Sequence, residues 1–477
     1  MHISQLLLGA SLVGSGLGLT ASTCNGKWVG LLNKCLSPKT TLQCGNPKNP
    51  RWSDYASPQP GSIVTIGDEG DVAKVISALS KTNTPFLVQS GANGWANTFK
   101  IGSSGVVIDI SNLKTISFSK DKSQVTFQAG VTNEDMINAA WSNNARVSVS
   151  TCNCVSLLGA TLGGGLSRTQ GVYGHNIDQL ISLNIVDPNG NRKTVTKKSN
   201  SELWWALTGA GANFGVVTSA TYKSQPIPQA QNTAWTGLVL FNSSQIEQLV
   251  TAIDQLTLQP DMQMDFYFTA SPIDGKPAVL FLPFYLGSEA VGRQKFASIF
   301  KIGPVLDTTD VIPYNTWNTA GDPFCTVGGR KPSYTVGLKN MDPKAWRNVW
   351  NEYTAFFNKY PEANLTTILT ECYPTASSAK SVQSDGSTSY PFRGIKCHAI
   401  AIPWYTSPSI DATAVAWGQK IRSYWTASAG TSPSSYINFA HGDEPLSQIY
   451  GSSLNRLKQL KGKYDPQKRL NQWFPLS

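Results

Sequence analysis

The sequence predicts an α+β protein of two lobes, and three observations carry that prediction. Strand-like and helical stretches alternate over the first half, and several strands run directly into glycine clusters. A proline-bearing run, Gln225 to Gln231, then interrupts the pattern as a linker candidate. Beyond it, alternating stretches predict an antiparallel sheet carrying helices. At 477 residues the chain exceeds the size at which one hydrophobic core usually stops growing. Charged residues make up 14%, against ~25% in an average soluble domain, while 41 Gly, 27 Pro, 14 Trp and 16 Tyr mark an ordered, loop-rich chain. The net charge of +10 is spread over scattered cations, densest at Lys197-Lys198 and between Lys458 and Lys463. No basic stripe marks a nucleic-acid protein.

The N-terminus reads as a leader. Residues 3 to 19 are apolar and small, and Thr20-Ala21-Ser22 supplies small residues suited to signal peptidase, so residues 1–21 are expected to be a signal peptide of a secreted protein. The stretch is too short and glycine-rich to prefer spanning a membrane. Glycosylation sequons at Asn242 and Asn364 and eight cysteines agree with an oxidising route. Cys24, Cys35 and Cys44 crowd the mature N-terminus, so at least one pairs elsewhere or stays free. The four histidines, His2, His175, His398 and His441, show no metal-ligand spacing, and no Cys-x-x-Cys exists, so no metal is expected.

The elements follow in order. Ser62 to Ile66 predicts a strand, and Glu69 to Lys81 an amphipathic helix with Val72, Val75, Ile76 and Leu79 at helical spacing. Phe86 to Gln89 is a buried strand running into Ser90-Gly91-Ala92-Asn93-Gly94-Trp95; strands at Gly105 to Ile110 and Val125 to Ala129 and a helix from Asn133 to Ser142 follow. Further glycine clusters span Gly159 to Gly165 and Gly209 to Gly215. In the second half, Trp235 to Phe241, Met262 to Phe268 and Ala278 to Tyr285 alternate as strands, with helices at Ser243 to Leu256, Ser288 to Lys301 and Ser447 to Lys463.

Glycine lets backbone N–H groups approach an anion closely, so strand-to-loop glycine clusters make phosphate cradles. Three of them suggest a long ligand gripped at several points, such as a dinucleotide. The P-loop pattern is absent, and so is Gly-x-Gly-x-x-Gly with its acidic partner, which excludes the two commonest nucleotide folds.

These residues carry a family resemblance. Gln89-Ser90-Gly91-Ala92-Asn93-Gly94-Trp95, Cys152-Asn153-Cys154-Val155 through Gly163-Gly164-Gly165, Tyr173-Gly174-His175-Asn176-Ile177-Asp178 and Gly209 to Thr218 resemble, in this order, the flavin domain of the vanillyl-alcohol oxidase/p-cresol methylhydroxylase superfamily. The ending, Tyr436-Ile437-Asn438-Phe439, Tyr464-Asp465-Pro466 and Leu470-Asn471-Gln472, resembles its berberine-bridge-enzyme-like branch, particularly secreted fungal members. The resemblance implies an FAD-binding domain over 22–225, a substrate domain over 226–435 and a C-terminal segment, 436–477, returning to the first domain.

The resemblance also implies roles. The pyrophosphate loop falls on Gln89 to Trp95, and further FAD-binding positions fall on Cys152, Val155, Gly159, Gly163, Gly164, Gly165, Asp178, Gly211, Asn213, Gly215, Val217, Asn438 and Asn471. Where many relatives carry a histidine bonded to the flavin, this chain has Asn93, so non-covalent FAD is expected, with a single Cys152 thioether as the alternative; Cys152 is otherwise free or paired with Cys154 or another cysteine. Val155 stands where a small residue accompanies use of dioxygen. A catalytic base is expected from the strand Ile395 to Trp404, where alternation places Lys396, His398, Ile400 and Ile402 on one face and makes His398 the first candidate. Tyr436, Glu371 and Tyr405 are further candidates. Leu166 stands where relatives carry a tyrosine, which argues against a sugar- or monolignol-type site. The expected activity is that of a monomeric secreted oxidase that dehydrogenates a small-molecule alcohol, phenol or secondary metabolite, with oxidative cyclisation as an option, and passes electrons to dioxygen as hydrogen peroxide. A carbohydrate oligosaccharide oxidase and an FAD-containing non-redox cyclase or binding protein are the alternatives.

Overall fold

The computed structural model describes residues 24, 26–32, 35–376, 378–381, 383 and 386–476. The expected signal peptide lies outside them. The first lobe holds two sheets around one core. In the smaller, Ser62–Thr65, Val106–Asp109 and Phe86–Gln89 run parallel, with Thr41–Cys44 antiparallel at the edge. Parallel strands need a crossover, and the helix Glu69–Lys81 carries the chain from Ser62–Thr65 to Phe86–Gln89, with Val106–Asp109 paired between the two. Asp68 caps that helix by accepting from the Gly70 N–H, and Val72, Val75, Ile76 and Leu79 are fully buried, as their spacing predicts. The larger sheet is antiparallel, in the order Ile116–Phe118, Gln124–Gln128, Val216–Lys223, Leu180–Val186, Arg192–Val195.

The second lobe is a nine-stranded antiparallel sheet with helices on one face. Its centre is the hairpin Met262–Ala270 and Pro277–Tyr285, followed by Thr367–Cys372, Cys397–Ile402 and the edge strand Tyr334–Leu338. Helices Ile246–Gln255, Pro343–Lys359 and Asp411–Ser428 bury Leu249, Ile253, Trp346, Val349, Ile421 and Trp425 against that face. The chain then returns to the first lobe. There the Asn213 amide donates to Tyr450 Oη and the Trp473 carbonyl, both at 3.1 Å. Lys461 Nζ reaches the Asn213 and Leu470 carbonyls at 2.9 and 2.6 Å.

Four expectations change. The stretch Trp235 to Phe241 breaks into Thr233–Thr236 and Val239–Phe241 at Gly237, whose φ of +150° and proximity to the Thr308 carbonyl admit no side chain. Ser288 to Lys301 becomes two helices, Glu289–Lys295 and Ala297–Phe300, because buried Phe296 leaves helical geometry. Ser447 to Lys463 divides at Gly451, φ +47°, into Leu446–Tyr450 and Leu454–Tyr464. The proline run is not a loose linker: Gln225–Pro226 pairs with Ala145–Arg146. Disulfides join Cys24 to Cys44, Cys154 to Cys325 and Cys372 to Cys397, leaving Cys35 exposed and Cys152 half-buried as free thiols.

Candidate active site

A deep cleft separates the lobes, its floor built by first-lobe loops and its roof by the helix-free face of the second sheet. The floor starts where the strand Phe86–Gln89 ends. Ser90 Oγ donates to the Ala129 carbonyl at 2.6 Å, and Ala92 adopts a left-handed φ of +53°, a strained conformation of the kind found at ligand-binding turns. A Cβ on Gly91 would stand 2.4 Å from Asn93 Oδ1 and 3.0 Å from the Ser156 nitrogen, so only glycine lets these backbones meet. Arg51 braces the loop, donating at 2.9 Å to both Gln89 Oε1 and the Gly94 carbonyl. Burial lowers its guanidinium to about 10. Among the described residues, the N–H groups of Gly91 to Trp95 donate to no protein acceptor, and buried Asn93 Oδ1 and Trp95 Nε1 have no partner.

Gln89 to Trp95, Cys152, Val155, Gly159, Gly215, Val217, Asn438 and Asn471 all line the cleft. Gly163, Gly164, Gly165, Asp178, Gly211 and Asn213, expected as cofactor contacts, stand behind its wall. A Cβ on Gly163 would fall 2.3 Å from Asn438 Oδ1, and one on Gly165 2.4 Å from Asn176 Cβ, so this run serves close packing. Asp178 is consumed by a buried bidentate pair with Arg393 at 2.7 and 2.9 Å.

The roof carries the titratable groups. Glu371 accepts from Thr151 Oγ1 at 2.9 Å and from Tyr373 Oη at 2.8 Å. Burial and the charge of Asp265 push its carboxyl up to about 7. Arg168 Nη1 donates to Gln263 Oε1 at 2.7 Å and to Asp265 Oδ2 at 3.2 Å, pairing a buried cation with a buried acid. The Tyr267 ring stacks on Phe324, centroids 6.3 Å apart. Tyr436 lines the cleft, its hydroxyl accepting from the Gly165 N–H at 3.0 Å and Asn438 Nδ2 at 2.7 Å, and burial pushes that phenol above its usual range.

The order of candidate bases changes. His398 faces Glu371 across the sheet but packs behind Tyr436, ring centroids 5.5 Å apart, outside the lining. Burial lowers its imidazole to about 3. Tyr405 stands away from the cleft and donates to Asp411 Oδ1 at 2.7 Å. Lys396 precedes the strand proper and turns to the helix side, reaching the Ile253 and Asp254 carbonyls at 2.9 and 2.7 Å. Sequence reasoning missed Arg51, Thr151, Arg168, Asp265 and Tyr267. The signal for two of them was present: on a strand whose even-numbered residues are Met262, Met264, Phe266 and Phe268, the intervening Asp265 and Tyr267 must face something other than that core.

An extended dinucleotide fits this donor set, with free loop N–H groups for a diphosphate and apolar walls for a ring system. Comparison with known proteins agrees. Residues 60–196 match the FAD binding domain family, and 435–471 match the family described as berberine and berberine like. The FAD-linked oxidoreductase hasG of Aspergillus fumigatus is 32% identical, over 91% of this chain and 96% of its own. FAD-linked oxidoreductase OXR1 of Pyricularia oryzae is 30% identical, over 87% and 84%. In fold, the chain superimposes on a xylooligosaccharide oxidase from Myceliophthora thermophila with a TM-score of 0.80 at 17% identity, covering 95% of this chain and 99% of that one. It superimposes on Physcomitrella patens BBE-like 1 with a TM-score of 0.77 at 18% identity, covering 90% and 94%. A flavin-type cleft, both family matches and full-length relatives converge: the chain belongs to the berberine-bridge-like family of FAD-linked oxidoreductases.

Proposed function

We propose that the protein is a secreted, monomeric FAD-dependent oxidase. It dehydrogenates a small, largely apolar alcohol, phenol or secondary metabolite, with ring closure where the substrate carries a second nucleophile, and returns the electrons to dioxygen as hydrogen peroxide. The observation that carries this reading is Glu371, a cleft carboxyl raised to about 7, where a general base is half-ionised at neutral pH. FAD, when bound, accepts the hydride equivalent leaving the substrate carbon. Glu371 takes the hydroxyl proton, with Thr151 and Tyr373 holding both carboxylate oxygens in place. Arg168 neutralises Asp265, which limits the negative charge beside that base. Tyr436 walls the reacting end, and Leu369, Ile400, Ile402 and Phe324 exclude water from it. Such walls leave sugar hydroxyls unpaired, so an oligosaccharide is the weaker substrate.

FAD is held without a covalent bond in this reading, because Asn93 replaces the histidine of relatives; Cys152, which lines the cleft, is the one remaining anchor among the described residues. Val155 lines the same wall, and its small side chain suits entry of dioxygen. Secretion is supported by the leader, the three disulfides and the exposure of Asn242 and Asn364 as glycosylation sites. The proposed domains are 22–225, 226–435 and 436–477.

The test is to express the mature chain from Ser22, record its visible spectrum and precipitate it with acid. A yellow supernatant supports dissociable FAD, and a yellow pellet assigns a Cys152 thioether instead. A colourless protein overturns the reading. Anaerobic flavin reduction by simple phenols and alcohols, set against oligosaccharides, then selects the substrate class.

A further inference from the structure

A free thiol lies against a disulfide at the edge of the cleft. Cys152 Sγ is 3.7 Å from Cys154 Sγ and 3.8 Å from Cys325 Sγ, and those two sulfurs are bonded to each other. The Cys152 sulfur sits beside the bond, nearly equidistant from its ends, so a side-chain rotation brings it behind either one. The three cysteines differ in what they face. Cys152 lines the cleft, whereas Cys154 and Cys325 do not. The segments that carry them are also held together without the disulfide. Asn153 Nδ2 donates to Asp322 Oδ1 at 2.7 Å, and Asn318 Nδ2 to the Ser150 carbonyl at 2.9 Å. The sulfurs therefore stay gathered whichever pair is bonded.

We propose that Cys152, Cys154 and Cys325 form a thiol–disulfide exchange site that moves the free thiol between the cleft and the protein behind it. Cys152 gives its proton to solvent, and its thiolate attacks Cys325 Sγ. The Cys152–Cys325 bond forms, the Cys154–Cys325 bond breaks, and Cys154 leaves as a thiolate that takes up a proton. One disulfide is lost and one gained, so no external oxidant or reductant is consumed. Both disulfides tether the loop at 150–156 to the roof segment Thr319–Cys325, so the exchange changes the chemistry of the cleft wall without releasing the roof. In one state the wall offers a nucleophilic thiol, and in the other it offers an unreactive disulfide sulfur. Burial and the neighbouring carboxylates of Glu371 and Asp322 keep the Cys152 proton on, which makes the exchange slow at neutral pH.

The proposal rests on FAD being held non-covalently, since a flavin thioether would consume the Cys152 thiol. The test uses the full-length flavoprotein, equilibrated in a glutathione redox buffer, quenched with acid, labelled with a maleimide and digested without reduction. Fragment spectra then locate the label and the linked partner of Cys325. The expected result is label divided between Cys152 and Cys154, with Cys325 linked to the other in each case. In C154S the expected result is a Cys152–Cys325 disulfide, while C152S keeps Cys154–Cys325. Label confined to one of the two positions in the wild type, or C154S chains in which Cys152 and Cys325 are both labelled, would overturn the proposal. Flavin mass on the Cys152 peptide would overturn it together with the non-covalent reading, whereas a colourless protein that still divides its label would overturn only the flavoenzyme reading.

Discussion

Along the strand Met262–Ala270, two sets of residues alternate and serve opposite ends. Met264, Phe266 and Phe268 point to the helices, where Phe266 packs 5.2 Å from Trp346 and Phe268 5.0 Å from Trp350. Gln263, Asp265 and Tyr267 point to the cleft, in contact with Arg168 and Phe324. Both faces are buried, yet one satisfies itself by area and the other by hydrogen bonds and charge. A buried polar face is a cost that stability alone would not retain. The comparison separates residues that hold the sheet from residues that face the proposed site.

That separation can be broken at several points. Glu371→Gln on the cleft face should lower the rate of flavin reduction by substrate ~10²–10⁴-fold while the thermal midpoint barely moves; a matching loss of stability would put Glu371 among the structural residues. Phe266→Ala on the helix face should cost ~3–5 kcal/mol in urea unfolding, with turnover per folded molecule preserved. Arg168→Met crosses the two categories, because it strands Asp265 as a buried charge. A destabilisation on the order of 3 kcal/mol is expected, largely recovered in the Arg168→Met/Asp265→Asn double variant. No recovery would mean that Arg168 acts through its packing on Phe284 instead.

The smallest effect is in pH. A base raised to about 7 must be ionised to work, so activity should rise as pH rises through that value. Stability should move the opposite way. Between pH 4.5 and about 7 the unfolded chain releases a proton that folded Glu371 keeps, so this group's contribution to stability falls as pH rises across that window. Glu371→Gln should flatten both slopes, and denaturant midpoints measured at pH 5 and pH 8 read the second.

Much of this was legible in the sequence. The helix Glu69–Lys81 and strand Phe86–Gln89 follow from spacing, because periodicity is local. The loop Gln89 to Trp95 stood out because it is one of three strand-to-loop glycine clusters and carries part of the family resemblance. Breaks at Gly237 and Gly451 were not, since each depends on what the turn meets across the fold. His398 illustrates the same limit: alternation assigns its face correctly, and only packing shows that Tyr436 stands between it and the cleft.

By itself the sequence determined the two-lobed α+β organisation and the family, and it marked the proposed phosphate loop, because these rest on local pattern and on motifs of contiguous residues. Tertiary structure alone decided which carboxyl is raised toward neutrality, by bringing Thr151, Arg168 and Asp265 from three distant stretches of chain to Glu371, beside its near neighbour Tyr373. It also decided which of eight cysteines meet. Burial and charge act through space, and the distances that set them exist only once the chain has closed.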